Sequence, residues 1–432
     1  MKTLLTVCLL SLLAPAVAQQ KSPTSVNMNA LVDSVAKALN DTYIFPDKSR
    51  LMIDYLRKQL KAGRYKDIKD PIKIASALEA DLKAAHRDDH MRVHYDPEFL
   101  KRVKSMEVPP DTMRKREVIS GRRDNFNFKQ SAILNGNIGY VEFTGFNPMI
   151  EEAKPIIAAA FRFVSNTDAV IIDLRSNGGG SPFMVRQIAS YLVTERTRLN
   201  DIYDRRANKT MEFWADPADA ENMELSMPLY ILTSKGTFSG AEDFTYAMQV
   251  NKRAVIVGET TGGGAHPTGP VWVGLGYVID IPFARSINYI TKTDWEGTGV
   301  TPDVSVPQDK ALIKAQELIL NERIKNVTND GARAQSQWLI DALHAHDYDA
   351  TINEKDLAPC AGDYDRFKIR LTAGKLYLHD HLGRTFLMMP IGPNHYLASD
   401  WLQVKFNIKE GIASEMVLCG KPGWVDVYER NK

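Results

Sequence analysis

The sequence predicts an α/β core preceded by an N-terminal helical bundle and followed by a C-terminal antiparallel β-domain. Apolar residues recur at helical spacing from Asn27 to His86, and strand-like and helix-like segments alternate from Asn137 to about Glu322. From Leu357 to Val427 short runs of alternating polarity are separated by Gly, Asn and Pro. The first pattern buries helix faces, the second builds βαβ units and the third suits hairpins.

The first residues, MKTLLTVCLLSLLAPAVAQQ, combine a lysine, an apolar stretch and an Ala-Val-Ala cleavage site, so residues 1–18 read as a signal peptide. Export to the periplasm or beyond is the expectation, and the apolar run is too short to span a bilayer. Residues 19–105 form the expected bundle, with Leu31, Val35 and Leu39, then Leu51, Ile53, Leu56 and Leu60, then Ile74, Leu78 and Leu82 as inward positions. Residues 106–130, rich in charge and holding Pro109-Pro110, read as a linker. Residues 131–325 form the expected core, opening on the strand NIGYVEFTGF. A polar stretch from Asn326 to Gln337 precedes the C-terminal β-domain, which is set at 338–432 and opens on a short helix from Trp338 to His344. That domain reads as an appendage that packs or orients, with a lipocalin-like pocket as the alternative.

Composition excludes several functions. Lys plus Arg number 54 against 53 Asp plus Glu, which leaves no basic footprint for nucleic acid or anionic membrane. Of three cysteines, Cys8 lies in the signal segment; Cys360 and Cys419 share the last domain and an exported compartment, so a disulfide between them is expected.

The chemistry concentrates between Leu232 and Gly264, LTSKGTFSGAEDFTYAMQVNKRAVIVGETTGGG. Ser239 stands at a corner of small residues between an apolar strand and a helix opening near Ala241, beside backbone N–H groups that favour negative charge. A serine before a helix is ordinarily its N-cap, and a Gly-rich loop is ordinarily a turn. A second strand–loop–helix unit upstream, AVIIDLRSNGGGSPFMVRQIASYL, alters that balance, because its triple glycine lets backbone amides approach a ligand. No GxxxxGK[ST] is present, which argues against a nucleotide site.

Together DLRSNGGG, TFSGAEDF, VGETTGGG and EGTGVTPDV resemble the C-terminal processing (tail-specific) serine peptidase family over roughly Asp88 to Val306. The resemblance implies a ClpP/crotonase-like core and a peptide or protein substrate. One branch of that family uses a lysine base in the third motif, where this chain has Gly264. The sequence is instead similar to the tricorn-like and interphotoreceptor retinoid-binding protein module branch. That similarity implies His90, in Asp88-Asp89-His90, as base and Glu296 as the residue orienting it. Asp89 departs from the family pattern, and Glu242 and Glu259 are competing acids. The interval between His94 and Ile138 is too short for the PDZ domain that many family members insert there.

The set is chemically coherent: Ser239 needs a base with a pKa near neutrality, and that base needs an acceptor to fix its tautomer. The Gly240 amide with that of Gly178 or Gly179 is the expected oxyanion hole. His86, His90 and His94 recur every four residues, but HExxH is absent, so neither a metal nor an organic cofactor is implied. The competing expectation is a non-catalytic binding protein for an apolar ligand or peptide on the same fold.

Overall fold

The computed structural model describes residues 26–105, 110–221, 223, 225–344, 353–421 and 424–431, so the signal peptide predicted at 1–18 lies outside the described residues. The chain divides into two compact units. One holds residues up to Arg87 with Met91–Val103 and Pro270–Ile281, the other Asp88–His90, Lys104–Gly269 and Pro282–Lys432. The tripeptide containing His90 therefore belongs to the second unit, although the sequence assigned it to the bundle.

In the first unit, α1 (Met28–Thr42), α2 (Pro46–Lys61) and α3 (Pro71–Ala85) follow the expected periodicity. The Asn27 side chain caps α1 by accepting from the Ala30 N–H, and Asp70 caps α3, where Pro71 occupies the position whose N–H needs no partner. Leu31, Val35, Leu39, Leu78 and Leu82 are fully buried, but Leu51 is 53% exposed and Met52 takes its place inside. β1 (Arg92–Tyr95) pairs antiparallel with β12 (Tyr277–Pro282), which is next to β11 (Thr268–Gly274) in the same small sheet. α4 (Phe99–Ser105) follows, and α5 (Pro110–Arg123), which belongs to the second unit, makes most of the supposed linker helical.

The second unit is built on a six-stranded sheet in the order β14-β10-β9-β4-β3-β2. Its strands are β2 (Phe128–Leu134), β3 (Ile138–Phe143), β4 (Ala169–Asp173), β9 (Leu229–Thr233), β10 (Ala254–Gly258) and β14 (Val304–Ser305). All pairings are parallel except that of β2 with β3. Every residue of β4 and β9 is buried, as their unbroken apolar runs require of strands covered on both faces. Val170, Ile172 and Ile231 share one core with α6 (Ile150–Phe163), α7 (Pro182–Ser190) and α8 (Gly240–Val250). Ile171, Tyr230 and Leu232 face α9 (Ala311–Asn326) and α10 (Asp330–Leu343) on the other side. The polar stretch expected before Trp338 is thus mostly helix, capped by Asn329 and polar because it faces solvent. Between α7 and β9 run the short strands β5 (Thr197–Arg198), β6 (Asn200–Asp204), β7 (Lys209–Met211) and β8 (Trp214–Ala215), and β13 (Ala284–Asn288) pairs with β6.

The C-terminal domain is an eight-stranded antiparallel meander in chain order, β15 (Gly362–Tyr364), β16 (Phe367–Thr372), β17 (Lys375–His379), β18 (Thr385–Gly392), β19 (His395–Ser399), β20 (Leu402–Lys409), β21 (Ile412–Gly420) and β22 (Trp424–Glu429). A bridge between Tyr364 and Arg430 brings its two edges together, so the sheet is nearly a barrel. Ile369, Leu378, Val404, Phe406, Met416 and Leu418 fill its inside, which replaces the lipocalin-like pocket with a packed core. The expected disulfide is absent: Cys360 and Cys419 are both free. Cys360 is buried in the barrel core, whereas Cys419 follows Leu418 on β21, so strand alternation turns it to the opposite face, towards the α9 and α10 core. No described helix is long and apolar enough to cross a membrane.

Candidate active site

Two loops leave the carboxyl ends of the neighbouring strands β4 and β9 and are laced together. Thr237 Oγ1 donates to the Leu174 carbonyl at 2.8 Å, and the Phe238 N–H donates to the Asn177 carbonyl at 3.1 Å. Asn177, fully buried, anchors the glycine loop by donating to the Phe143 carbonyl at 2.8 Å and accepting from the Gly179 N–H at 2.9 Å. The glycines here are steric necessities. A methyl on Gly179 would stand 2.6 Å from the Gly240 nitrogen, and one on Gly240 would stand 2.9 Å from the Gly180 nitrogen.

Ser239 precedes α8 with φ 53° and ψ −118°, away from the extended conformation of an ordinary N-cap. Such backbone costs on the order of 1–3 kcal/mol and persists only where its surroundings hold it. Glu242 does the holding. Fully buried, it accepts from the N–H groups of Ser239 at 2.8 Å, Gly263 at 2.6 Å and Gly264 at 2.7 Å and from the Thr261 hydroxyl at 2.5 Å. Burial raises its pKa against the opposing pull of these four donors, and through them Glu242 fastens the serine corner to the glycine loop.

His90 lies against Phe238 with ring centroids 4.8 Å apart, and its Nδ1 is 3.9 Å from Glu296 Oε2, an ion-pair distance. Glu296 is placed by the Ala265 N–H, which donates to Oε2 at 2.6 Å. A second histidine joins them: His266 Nδ1 is 3.1 Å from Asp88 Oδ2 and 3.4 Å from Glu296 Oε2. Asp88, fully buried, also accepts from the His90 N–H at 3.1 Å. Burial lowers the His266 pKa, but the Asp88 hydrogen bond and the surrounding carboxylates outweigh it and raise it overall. Burial lifts Glu296 to about 7 against the pull of His266. Asp88, His266 and Glu296 could hold a metal ion, since their ligand atoms lie within 4.8 Å of one another. The same atoms also satisfy each other as an ion-paired cluster.

Ser239, His90, His266, Gly180 and Gly240 all lie on the wall of one cavity of about 550 Å³. Of the residues expected from sequence, Ser239, His90 and Gly240 converge here, with Glu296 behind His90. The glycines of the upstream loop are placed differently from one another. The Gly179 N–H is spent on Asn177, neither Gly178 nor Gly179 borders the cavity, and Gly180 does. Glu259 accepts from the Lys235 N–H at 3.3 Å, at the far end of that loop. His86 ends α3 and His94 bonds Asp280 from β1, which breaks up the supposed histidine face. Sequence reasoning missed Asp88 and His266 as partners; the one signal was a histidine two residues beyond Gly264.

Residues 137–306 match the family described as peptidase family S41, and residues 16–121 match the N-terminal domain of peptidase S41 in eukaryotic IRBP. The chain belongs to peptidase family S41. Over 183 residues this S41 chain is 31% identical to the chloroplastic carboxyl-terminal-processing peptidase 2 of Arabidopsis thaliana, covering 40% of this chain and 32% of that one. Over 181 residues it is 27% identical to the chloroplastic C-terminal processing peptidase of Tetradesmus obliquus, covering 39% and 35%. It therefore spans about a third of the length of these relatives. A crystal structure of a candidate peptidase from Parabacteroides merdae superposes with a TM-score of 0.51 at 16% identity, covering 70% of this chain and all of that one. That likeness shows the fold.

Within this S41 chain, Gly264 marks the departure from a lysine base. A Cβ there would meet His90 Cε1 at 2.5 Å and Phe238 Cζ at 2.3 Å. The histidine ring occupies the space that any side chain at 264 needs.

Proposed function

We propose that this chain is an exported serine peptidase, with a ClpP/crotonase-like core, that hydrolyses peptide bonds through Ser239, His90 and Glu296. The observation that carries the reading is the convergence of Ser239, His90, Gly180 and Gly240 on one cavity, with Glu296 3.9 Å behind the His90 ring. Ser239 Oγ attacks the substrate carbonyl as its proton passes to His90 Nε2; the same proton then goes to the leaving amine, and water repeats the cycle on the acyl-enzyme. Glu296, on the Nδ1 side, fixes the ring and favours the imidazolium formed in that step. The amides of Gly240 and Gly180 stabilise the oxyanion, and one such donor is worth about 10²–10³ in rate. Export rests on the N-terminal sequence.

Fluorophosphonate labelling and digestion of a peptide library by the processed protein test this reading. Label on Ser239 with cleaved peptides is the expected result; an unlabelled serine and an intact library overturn it. A second reading, binding without turnover, draws on the apolar cavity wall formed by Phe183, Ile202, Met211, Phe213 and Phe283. Retention of an apolar ligand by a protein that neither labels nor cleaves would favour it.

A further inference from the structure

The cavity beside Ser239 is not uniformly apolar. Asp243, 9% exposed, reaches its wall from α8, and the polar chain behind it is fixed. Asn288 Nδ2 donates to Asn200 Oδ1 at 2.7 Å, and Asn200 Nδ2 donates to Asp243 Oδ1 at 2.6 Å and to the Asp243 carbonyl at 2.9 Å. This relay orients the carboxyl group but supplies it with no charge. Among the described residues, no hydrogen bond reaches Oδ2 and no cationic side chain pairs with Asp243.

A buried carboxylate without a counter-charge is costly, and proteins that keep one usually pair it. Burial accordingly pushes Asp243 up to about 7, with the Asn200 hydrogen bond opposing. None of this is needed to build the serine corner, because Glu242 already performs that task. Asp243 follows Ser239 by four residues, about 6 Å along a helix. A lysine stem spans a similar length. The same cavity is lined by the apolar side chains already named, which suit methylene groups, and by one charged residue of each sign, Asp204 and Lys209.

We propose that Asp243 is the specificity-determining residue of the substrate pocket and selects a basic side chain, its apolar stem against Phe183, Ile202, Met211 and Phe213 and its cationic head on Asp243 Oδ2. The inference rests on the peptidase reading for the position of the scissile bond, but its test needs no turnover. In the full-length Ser239→Ala protein, in mildly alkaline buffer where Asp243 is ionised, affinities are compared for two capped alanine pentapeptides whose central residue is lysine or norleucine. Norleucine keeps the stem and deletes the charge. The lysine peptide should bind at least about tenfold tighter, the lower end of what a hydrogen bond to a charged group supplies. Adding Asp243→Asn should bring it to the norleucine level.

Equal affinities, tighter norleucine binding, absence of binding by both peptides, or a preference that survives Asp243→Asn would each overturn the proposal. Should the double variant fail to fold, the lysine-to-norleucine ratio on the Asp243 background decides alone. Turnover by the unmodified protein is read separately, so loss of the peptidase reading would leave this ratio standing or falling by itself.

Discussion

Gly264→Ala should disable the protein without unfolding it, and the magnitude follows from local distances. The new methyl would lie 2.5 Å from His90 Cε1 and 2.3 Å from Phe238 Cζ. Ordinary carbon contacts begin near 3.4 Å, so each ring must retreat by about 1 Å. The backbone at 264 cannot yield in their place. Its N–H is held by Glu242 at 2.7 Å, and its carbonyl accepts from Trp295 Nε1 at 3.0 Å. Overpacking of this kind costs about 1–3 kcal/mol of stability. A 1 Å displacement of a base from its nucleophile costs about 10²-fold in rate. The assay is kcat/KM on a peptide substrate, with Tm and the rate of fluorophosphonate labelling alongside. A folded variant whose kcat/KM stays within threefold of the parent would refute the placement of His90 as base, as would a Gly264→Lys variant that gains activity.

Ser239→Ala should reduce turnover by about 10⁴-fold or more while Tm hardly changes; hydrolysis persisting near the parent rate would move the nucleophile elsewhere. Glu296 titrates at about 7, so kcat/KM should rise as pH climbs through that value and the carboxylate forms beside His90. Glu296→Gln should flatten that rise and lower the plateau about 10²-fold, and a profile identical to the parent's would dismiss the role. Because the folded pKa of Glu296 lies above the ordinary 4.5, the native state binds the extra proton, and this group's stabilising contribution is present below 4.5 and lost as pH rises to about 7. Denaturation without reductant should release Cys360 and Cys419 as titratable thiols; a mass gain of two hydrogens on reduction would show the disulfide that strand alternation forbids.

What was legible in the sequence was local. The unbroken apolar strands, the glycine loop, the serine corner and the period-two runs of the C-terminal meander each carry their own geometry within ten residues or so. What escaped depends on distant segments. Cys360 and Cys419 share a domain, but only the register of β21 decides that Cys419 faces away from the core that holds Cys360. Gly178, Gly179 and Gly180 are indistinguishable as a triplet until Asn177 claims one amide. The polar first turns of α10 look like a linker because a helix with one buried face presents its other residues to water. Asp88 and His266 lie 178 positions apart, and no periodicity announces that they meet.

That meeting gives the proposed relay its electrostatic sense. Asp88 and Glu296 bring two carboxylates to one imidazole, and His266, its pKa raised by them, balances one when protonated. With Glu296 ionised, its carboxylate stands 3.9 Å from His90 Nδ1. A neutral His90 gains little from a nearby negative charge. When it takes the serine proton it becomes a cation, and the attraction between unit charges at this separation is about 4 kcal/mol at an effective dielectric of about 20. Only the part of that attraction absent from the ground state accelerates the reaction, and here nearly all of it is absent. A lone glutamate so deeply buried would hold its proton too tightly to serve. His266 lowers that cost by favouring the carboxylate, while Asp88 raises the His266 pKa and ties the His90 backbone to the same cluster. In the proposed relay the second histidine therefore acts through Glu296, as a positioning residue.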